Sequence, residues 1–279
     1  MGKISSILKR ALRYIIKGVP VVNVKADISL SSPTDKLAGK KIIVTGGGRG
    51  LGAAMAKKFV EDGASVLITG RNEDTLKKTS GELGCSYMVL DMMSSESFDN
   101  FINDAENILG GLDVLVNNAG VSLHENSFFD VVPEGFDTQI DTNFKGGYFL
   151  TQSFIKRMVE CGRSGNVLFI SSETGETVDF RPYGFTKAAV NSMVQGLAHL
   201  YVKDHIRVNA IAPGVTASDM TGFKADDNLY TDYNRIGRVY LPEEIAEVAS
   251  FIVSDLSNCI SGQIIACNNA QTVNARWKK

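Results

Sequence analysis

Short apolar runs alternate along this chain with longer stretches in which apolar positions recur every three or four residues. Runs rich in β-branched residues at Lys41–Thr45, Ser65–Thr69, Ser86–Leu90, Leu112–Val116, Asn166–Ser171, Arg207–Ile211 and Gly262–Ala266 predict strands. Between them, Leu51–Asp62, Asn72–Ser80, Ser95–Leu109, Pro133–Glu160, Pro182–Val202 and Pro242–Val253 predict helices. Within the third helix Phe98, Phe101, Ile102, Ala105 and Leu109 fall along one side. Strands that are apolar on both faces and separated by helices imply a doubly wound parallel sheet covered on both sides. The expectation is one α/β domain over residues 36–279.

The first 35 residues have a different character. Lys3, Lys9, Arg10, Arg13 and Lys17 fill one half of a helical wheel, and Ile4, Ile7, Leu8, Ala11, Leu12, Ile15 and Ile16 fill the other. Such a basic amphipathic helix is too short and too charged to span a bilayer. It suits a peripheral contact of residues 1–17 with an anionic membrane, or packing against its own domain or a neighbouring subunit. No apolar segment with a cleavage site marks a secretory signal. An extended piece, Val21 to Val24, and a polar linker, Ser31 to Asp35, lead into the domain.

Composition narrows the function. At 279 residues and 44% hydrophobic, the chain can bury a substantial core. A net charge of −2 gives no basic field for nucleic acid. Cys85, Cys161, Cys259 and Cys267 are scattered, as are His124, His199 and His205, so no metal site and no disulfide framework is expected. Reduced thiols suit a cytoplasmic protein.

Thr45-Gly46-Gly47-Gly48-Arg49-Gly50-Leu51-Gly52 joins the first strand to the first helix. Glycines let the backbone turn tightly, and the helix N-terminus offers unpaired N–H groups to a pyrophosphate. Either Gly46-x-x-x-Gly50-x-Gly52 or Gly48-x-Gly50-x-x-Ala53 fits a dinucleotide-binding turn. An acid at the end of strand two would hold the ribose 2′-OH of NAD. Here the segment is Thr69-Gly70-Arg71, and Arg49 lies in the glycine loop. Two guanidiniums suit a 2′-phosphate, so NADP(H) is expected over NAD(H).

Tyr183 and Lys187 stand one helical turn apart, a phenol and an ammonium on one face. A nearby positive charge favours phenolate, which makes the pair an acid/base device. Together with Asp91, Asn117-Asn118-Ala119-Gly120, Asn143, Ser172 and Pro213-Gly214, these motifs occur in the order seen in short-chain dehydrogenases/reductases, and the chain resembles that family over roughly residues 36–273. The resemblance implies a Rossmann-like fold of about seven strands, with a small carbonyl or alcohol substrate. It implies Tyr183 as general acid/base, Lys187 as ribose ligand and modulator of the Tyr183 pKa, Ser172 positioning the substrate oxygen, and Asn143 holding a water of a proton relay. Asp91 would accept from the adenine amino group, with Met92 beside it. Asn117 to Gly120 (Asn118, Ala119 and Gly120 as cofactor contacts) would pack against the cofactor, and Pro213, Gly214 and Val215 would border the nicotinamide. Family members form dimers or tetramers on the long helices, here 134–160 and 182–202.

Three departures stand out: Cys267-Asn268-Asn269-Ala270 in place of an Asp-Gly-Gly-like turn, a slightly shortened Ser172–Tyr183 spacing, and the N-terminal extension. Glu173, Glu176 and Asp179 make the Ser172–Tyr183 loop acidic. The irregular segment 216–240, with Asp219, Met220, Phe223, Lys224, Tyr230, Tyr233, Arg235 and Arg238, reads as a polar and aromatic substrate lid. Both features suit a hydroxylated, sugar-like ketone. Arginines in the lid keep an acidic acyl-carrier partner open, as for a 3-oxoacyl-[acyl-carrier-protein] reductase. A dinucleotide-binding sensor without turnover is the remaining alternative.

Overall fold

The computed structural model describes residues 22–26, 34–224 and 226–273. The expected amphipathic helix over residues 1–17 and most of the linker lie outside them. Strands β1 (Lys41–Thr45), β2 (Ser65–Gly70), β3 (Ser86–Val89), β4 (Val114–Asn117), β5 (Gly165–Ile170), β6 (Ile206–Pro213) and β7 (Ile264–Cys267) form one parallel sheet in the order β3-β2-β1-β4-β5-β6-β7. The helices are α1 (Gly50–Glu61), α2 (Glu73–Leu83), α3 (Phe98–Leu109), α4 (Pro133–Ile140), α5 (Gly146–Glu160), α6 (Pro182–Tyr201) and α7 (Pro242–Val253).

Alternation along the strands sorts side chains to two buried layers. In β1, Ile42 and Val44 join Met55, Phe59 and Ile245 of α1 and α7 on one face. Ile43 joins Phe98, Phe101 and Ile102 of α3, Phe154 of α5 and Val190 of α6 on the other. Local chemistry sets the helix ends. The side chain of Asn72 caps α2 by accepting from Thr75 N at 2.8 Å, and Gly84 (φ 67°) closes it in the left-handed region. Pro133, Pro182 and Pro242 open α4, α6 and α7 at the position where the missing N–H costs nothing.

The single long helix expected over Pro133–Glu160 is broken. A π-helical turn, Asp141–Lys145, separates α4 from α5. Two close contacts surround this extra residue: a Cβ at Gly146 would collide with the Met92 carbonyl, and one at Gly147 would sit 3.3 Å from Phe169. A hydrophobic pattern does not register a one-residue slip whose cause lies on another element. Strand β6 is longer than its apolar run suggests because it pairs on both edges, with β5 and β7.

Residues 22–26 of the N-terminal extension touch the segment 216–240, expected from the sequence to be a substrate lid. Leu229 N donates to Val24 O at 3.1 Å, and the Asn228 side chain bonds Val24 N and Val22 O, each at 2.9 Å. Ala26 packs on the small cluster of Ala217, Leu229 and Val239.

A buried charge network pins α1 to α7. Asp62 is fully buried, accepts from Ser250 Oγ at 2.5 Å and pairs with Lys36 at 3.2 Å and Lys58 at 3.3 Å. Burial alone would raise its pKa, but the Ser250 hydrogen bond and the lysines together hold it below the usual carboxylate value. Its contribution to stability is therefore complete above the ordinary carboxylate range and is lost as pH falls through the depressed pKa. Replacing Asp62 by Ala leaves Lys58 its pair with Glu247 at 3.1 Å but removes the acceptor of Ser250 and the nearer partner of Lys36, and should lower unfolding stability by about 1–3 kcal/mol, read from urea denaturation at neutral pH; the gap from wild type should narrow under acid. A loss below about 1 kcal/mol would place this network with weak surface pairs.

Candidate active site

All strands run one way, so their carboxyl ends share one edge, and the order reverses between β1 and β4. Open parallel sheets bind ligands in the crevice at such a point. Thr45 ends β1 on one side of it. Its hydroxyl accepts from Asn118 N and Ala119 N, both at 3.0 Å, and donates to Val116 O at 3.3 Å. The Asn118 side chain in turn donates to Thr45 O and Gly46 O, at 2.9 and 3.2 Å. The glycine loop and the loop after β4 are thereby one braced unit.

Two glycines of that loop are dictated by space. Gly46 (φ 64°) occupies the left-handed region with Ala119 Cα 3.0 Å from where a Cβ would stand, and a Cβ on Gly52 would strike the Gly46 carbonyl. Gly48 is held from the other side, its carbonyl accepting from Thr79 Oγ1 at 2.7 Å. Gly50 and Leu51 open α1, preceded by Arg49, with no side-chain cap and no acid in the first turn. The N–H groups and positive dipole end of α1 are thus left uncompensated, which fits a pyrophosphate. Arg49 is exposed and paired to Asp219 of the lid at 3.1 Å. Arg71, at the end of β2, is exposed as well.

Asp91, just beyond β3, accepts from Met93 N at 3.0 Å. Met92 is 6% exposed, and its side chain belongs to the core beside Phe98. Only its backbone remains for a ligand. Asn117 turns inward, donating to Thr151 Oγ1 at 2.9 Å. Pro213 ends β6, and Gly214 passes so close to Tyr240 that a Cβ would lie 2.7 Å from its ring. Val215 accepts from Tyr240 N at 2.9 Å.

Asn143, Ser172, Tyr183 and Lys187 come together across the crevice. A Cβ on Gly120 would lie 3.4 Å from Asn143 Oδ1 and 3.8 Å from Lys187 Nζ. Lys187 Nζ donates to Ile170 O at 2.8 Å and lies 5.4 Å from the centre of the Tyr183 ring. Ser172 faces the Tyr183 phenol, whose pKa it lowers, and accepts from Thr174 N at 3.2 Å and Thr174 Oγ1 at 3.0 Å. Asn143, in the π-turn, accepts from Val121 N at 2.7 Å and donates to Val121 O at 2.8 Å and to Thr186 Oγ1 at 3.4 Å. Its amide hydrogens are fully used, which leaves one Oδ1 lone pair as the side chain's means of holding a water.

The electrostatics depart from the expected effect of Lys187 on Tyr183. Burial raises the Tyr183 pKa; the Ser172 hydrogen bond and the Arg181 charge act the other way but do not overcome it. Burial also lowers Lys187 to about 8. The ammonium lies over the face of the ring, bonded to Ile170, and does not reach the phenol oxygen. Burial thus favours the protonated phenol of Tyr183.

The sequence reading missed several partners. Asp179 accepts from Arg181 Nε and Nη2, both at 2.9 Å, and packs so tightly under α6 that Gly184 has no room for a Cβ. Gly175 presses on Lys187 and Asn191 in the same way. Val121, Thr186 and Thr79 make backbone or hydroxyl contacts for which spacing gives no signal. In the turn after β7, Asn269 (φ 47°) and Ala270 (φ 64°) adopt left-handed backbone where glycine is easier. Among the described residues there is no cluster that could hold a metal and no helix long and apolar enough to cross a membrane.

Comparison with known proteins agrees with this geometry. A family model described as enoyl-(acyl carrier protein) reductase matches residues 46–269. The chain is 32% identical to the 3-oxoacyl-[acyl-carrier-protein] reductase FabG of Aquifex aeolicus, over 84% of this chain and 97% of that one. It is 34% identical to a 3alpha-hydroxysteroid dehydrogenase of Mediterraneibacter gnavus, again over 84% and 97%. A solved short-chain type dehydrogenase/reductase from Mycobacterium marinum superposes with a TM-score of 0.79 at 26% identity, covering 86% of this chain and 98% of its own. The braced glycine loop, the site across the crevice and these likenesses lead to one conclusion: the chain belongs to the short-chain dehydrogenase/reductase family and is an NAD(P)-dependent oxidoreductase acting on carbonyl and alcohol groups.

Proposed function

We propose that this chain interconverts a ketone and a secondary alcohol on a polar, hydroxylated substrate, with NADP(H) as the preferred dinucleotide. The observation that carries the reading is the meeting of Ser172, Tyr183 and Lys187 beyond the carboxyl end of β5, with Lys187 Nζ turned toward Gly120 after β4. Bound there, the nicotinamide would supply or accept the hydride. Tyr183 donates a proton to the carbonyl oxygen in reduction and takes one from the alcohol in oxidation. Ser172, facing that phenol, orients the substrate oxygen. Lys187 keeps two N–H groups beyond its bond to Ile170, and these suit ribose hydroxyls. Asn143 fixes the Gly120–Val121 backbone against Lys187.

For the dinucleotide, Thr45 to Gly52 and the start of α1 take the pyrophosphate, Asp91 the adenine edge, and Asn118, Ala119, Gly120, Pro213, Gly214 and Val215 line the path between. Arg49 and Arg71 favour a 2′-phosphate, with no acid at the end of β2 to favour a free hydroxyl. The Arg49–Asp219 pair is exposed on both sides and costs little to exchange for a phosphate. A 3-oxoacyl-[acyl-carrier-protein] reductase is the second reading, favoured by the similarity to FabG. Of the lid arginines it would use, Arg238 is held by both carboxylate oxygens of Glu244, at 2.8 and 2.7 Å. Tyr148 and Phe149 on α5 and Phe185 on α6 are exposed, which supports a homodimer or homotetramer built on those helices.

A screen of ketones and alcohols followed by NADPH absorbance, repeated with NADH, tests the reading; turnover confined to long acyl or steroid ketones would overturn the substrate class. Tyr183→Phe should cut turnover by about 10²–10⁴-fold while dinucleotide affinity, measured by fluorescence titration, stays within about threefold, a shift under 1 kcal/mol. Retained turnover would exclude Tyr183 as the acid. Arg71→Glu should lower kcat/KM for NADPH by about 10–100-fold and leave that for NADH unchanged or improved; equal effects on both would remove Arg71 from phosphate recognition. Because burial raises the Tyr183 pKa, reduction should hold its rate through neutral pH and decline only in alkali as the phenol ionises, while oxidation quickens with rising pH. Initial rates in both directions across that range check the sign.

A further inference from the structure

Beside Ser172 lies a second polar cluster that hydride and proton transfer leave unused. Glu173 follows Ser172 in the chain and is 5% exposed, yet its Oε2 has no hydrogen-bond partner among the described residues. The polar side chains turned toward its carboxyl are Tyr233, from the lid, and Asn268, from the turn after β7. Asn268 is 2% exposed; its Nδ2 donates to Thr272 Oγ1 at 3.1 Å, but its Oδ1 is also without a partner. Asn268 and Tyr240 both lie against Gly214, at the end of β6. The hydroxyl of Tyr240, facing Asn269, makes no hydrogen bond among the described residues.

Unsatisfied buried polar atoms are rare and individually costly. Here two of them, on Glu173 after β5 and Asn268 after β7, face one another beneath Tyr233, with the third, on Tyr240, packed against Gly214 beside Asn268, and Glu173 adjoins the proposed substrate-orienting serine in the chain. Two of the three are acceptors, so the matching group is a donor. An ammonium is disfavoured, because the Arg181 charge acts on both Tyr183 and Tyr233 at this place. Burial, with Glu176 nearby, raises the Glu173 pKa, so a further anion is disfavoured beside it. A hydroxyl is a neutral donor that meets both acceptors.

We infer that Glu173, Asn268 and Tyr233 form a hydroxyl-recognition subsite beside Ser172 and Tyr183, which selects ketones bearing a hydroxyl next to the reacting carbonyl. The inference rests on the oxidoreductase reading above and names the group that determines its substrate. Tyr233 closes the subsite from the lid, so substrate recognition and lid position are linked. A plain ketone leaves the buried acceptors unpaired, and sites built around such groups discriminate strongly against the analogue lacking the hydroxyl.

The test compares ketone pairs differing by one hydroxyl, beginning with 2-hydroxycyclohexanone and cyclohexanone, in the full chain with NADPH. The readout is the ratio of the two kcat/KM values within each variant, so a general loss of activity cancels. Wild type should favour the hydroxyketone by about 10–100-fold. Glu173→Leu should abolish most of that preference, and Glu173→Gln, which still accepts, should keep more of it. Tyr233→Phe alters an exposed side chain and will fold even if Glu173→Leu does not; it should reduce the ratio severalfold. A wild-type ratio near one, with both ketones turned over, overturns the subsite and leaves the oxidoreductase reading intact. So does an unchanged ratio in both Tyr233→Phe and Glu173→Gln together with Glu173→Leu. Failure of wild type to reduce any ketone of the broader screen with either dinucleotide overturns the proposed function itself.

Discussion

Parallel strands can be joined only by crossing over a face of the sheet, and that constraint governs the rest of this molecule. It brings the carboxyl ends of all seven strands to one edge. From that edge hang the glycine loop after β1, Arg71 after β2, Asp91 after β3, Gly120 after β4, Ser172 after β5, Gly214 after β6 and Asn268 after β7. Helices on both faces supply the apolar burial that makes the edge rigid. Residues separated by more than 200 positions can then cooperate at fixed distances.

Rigidity at the edge comes from backbone approach as much as from side chains. Thr45 and Asn118 tie two loops across the crevice with four hydrogen bonds to main-chain atoms between them. Gly175 and Gly184 let the loop after β5 press directly on α6, which carries Tyr183 and Lys187. The π-turn delivers Asn143 to Val121. Each device exchanges conformational freedom for the placement of one polar group, which is the form of pre-organisation that proton transfer requires.

Burial also bears on charge. It lowers the Lys187 pKa to about 8 and raises those of Tyr183 and Glu173. The three groups share one region of low polarity, and each disfavours its own charged form. A positive charge arriving beside the phenol would tilt Tyr183 back toward phenolate. The acid/base behaviour of the pair is thus a property of the loaded site, and the Tyr-x-x-x-Lys spacing alone does not convey it.

Much was legible in the chain itself. Apolar runs and helical periodicity marked the strands and helices, because a strand covered on both faces must be apolar throughout. Glycines at positions 46 and 52 announced a turn that admits no Cβ, and Tyr183 and Lys187 had to share a helix face. What periodicity could not convey is contact between distant elements. The π-turn in the long helix, the core side chain of Met92, the use of Asn143 on Val121 and the acceptors of Glu173 and Asn268 that find no partner among the described residues all arise where one element meets another. Local sequence determines the elements and the chemical groups they carry, since backbone preference and hydrophobic period act over a few residues. Only the tertiary structure decides which groups are buried, paired or left waiting for a substrate, because burial and pairing depend on neighbours that lie far away along the chain.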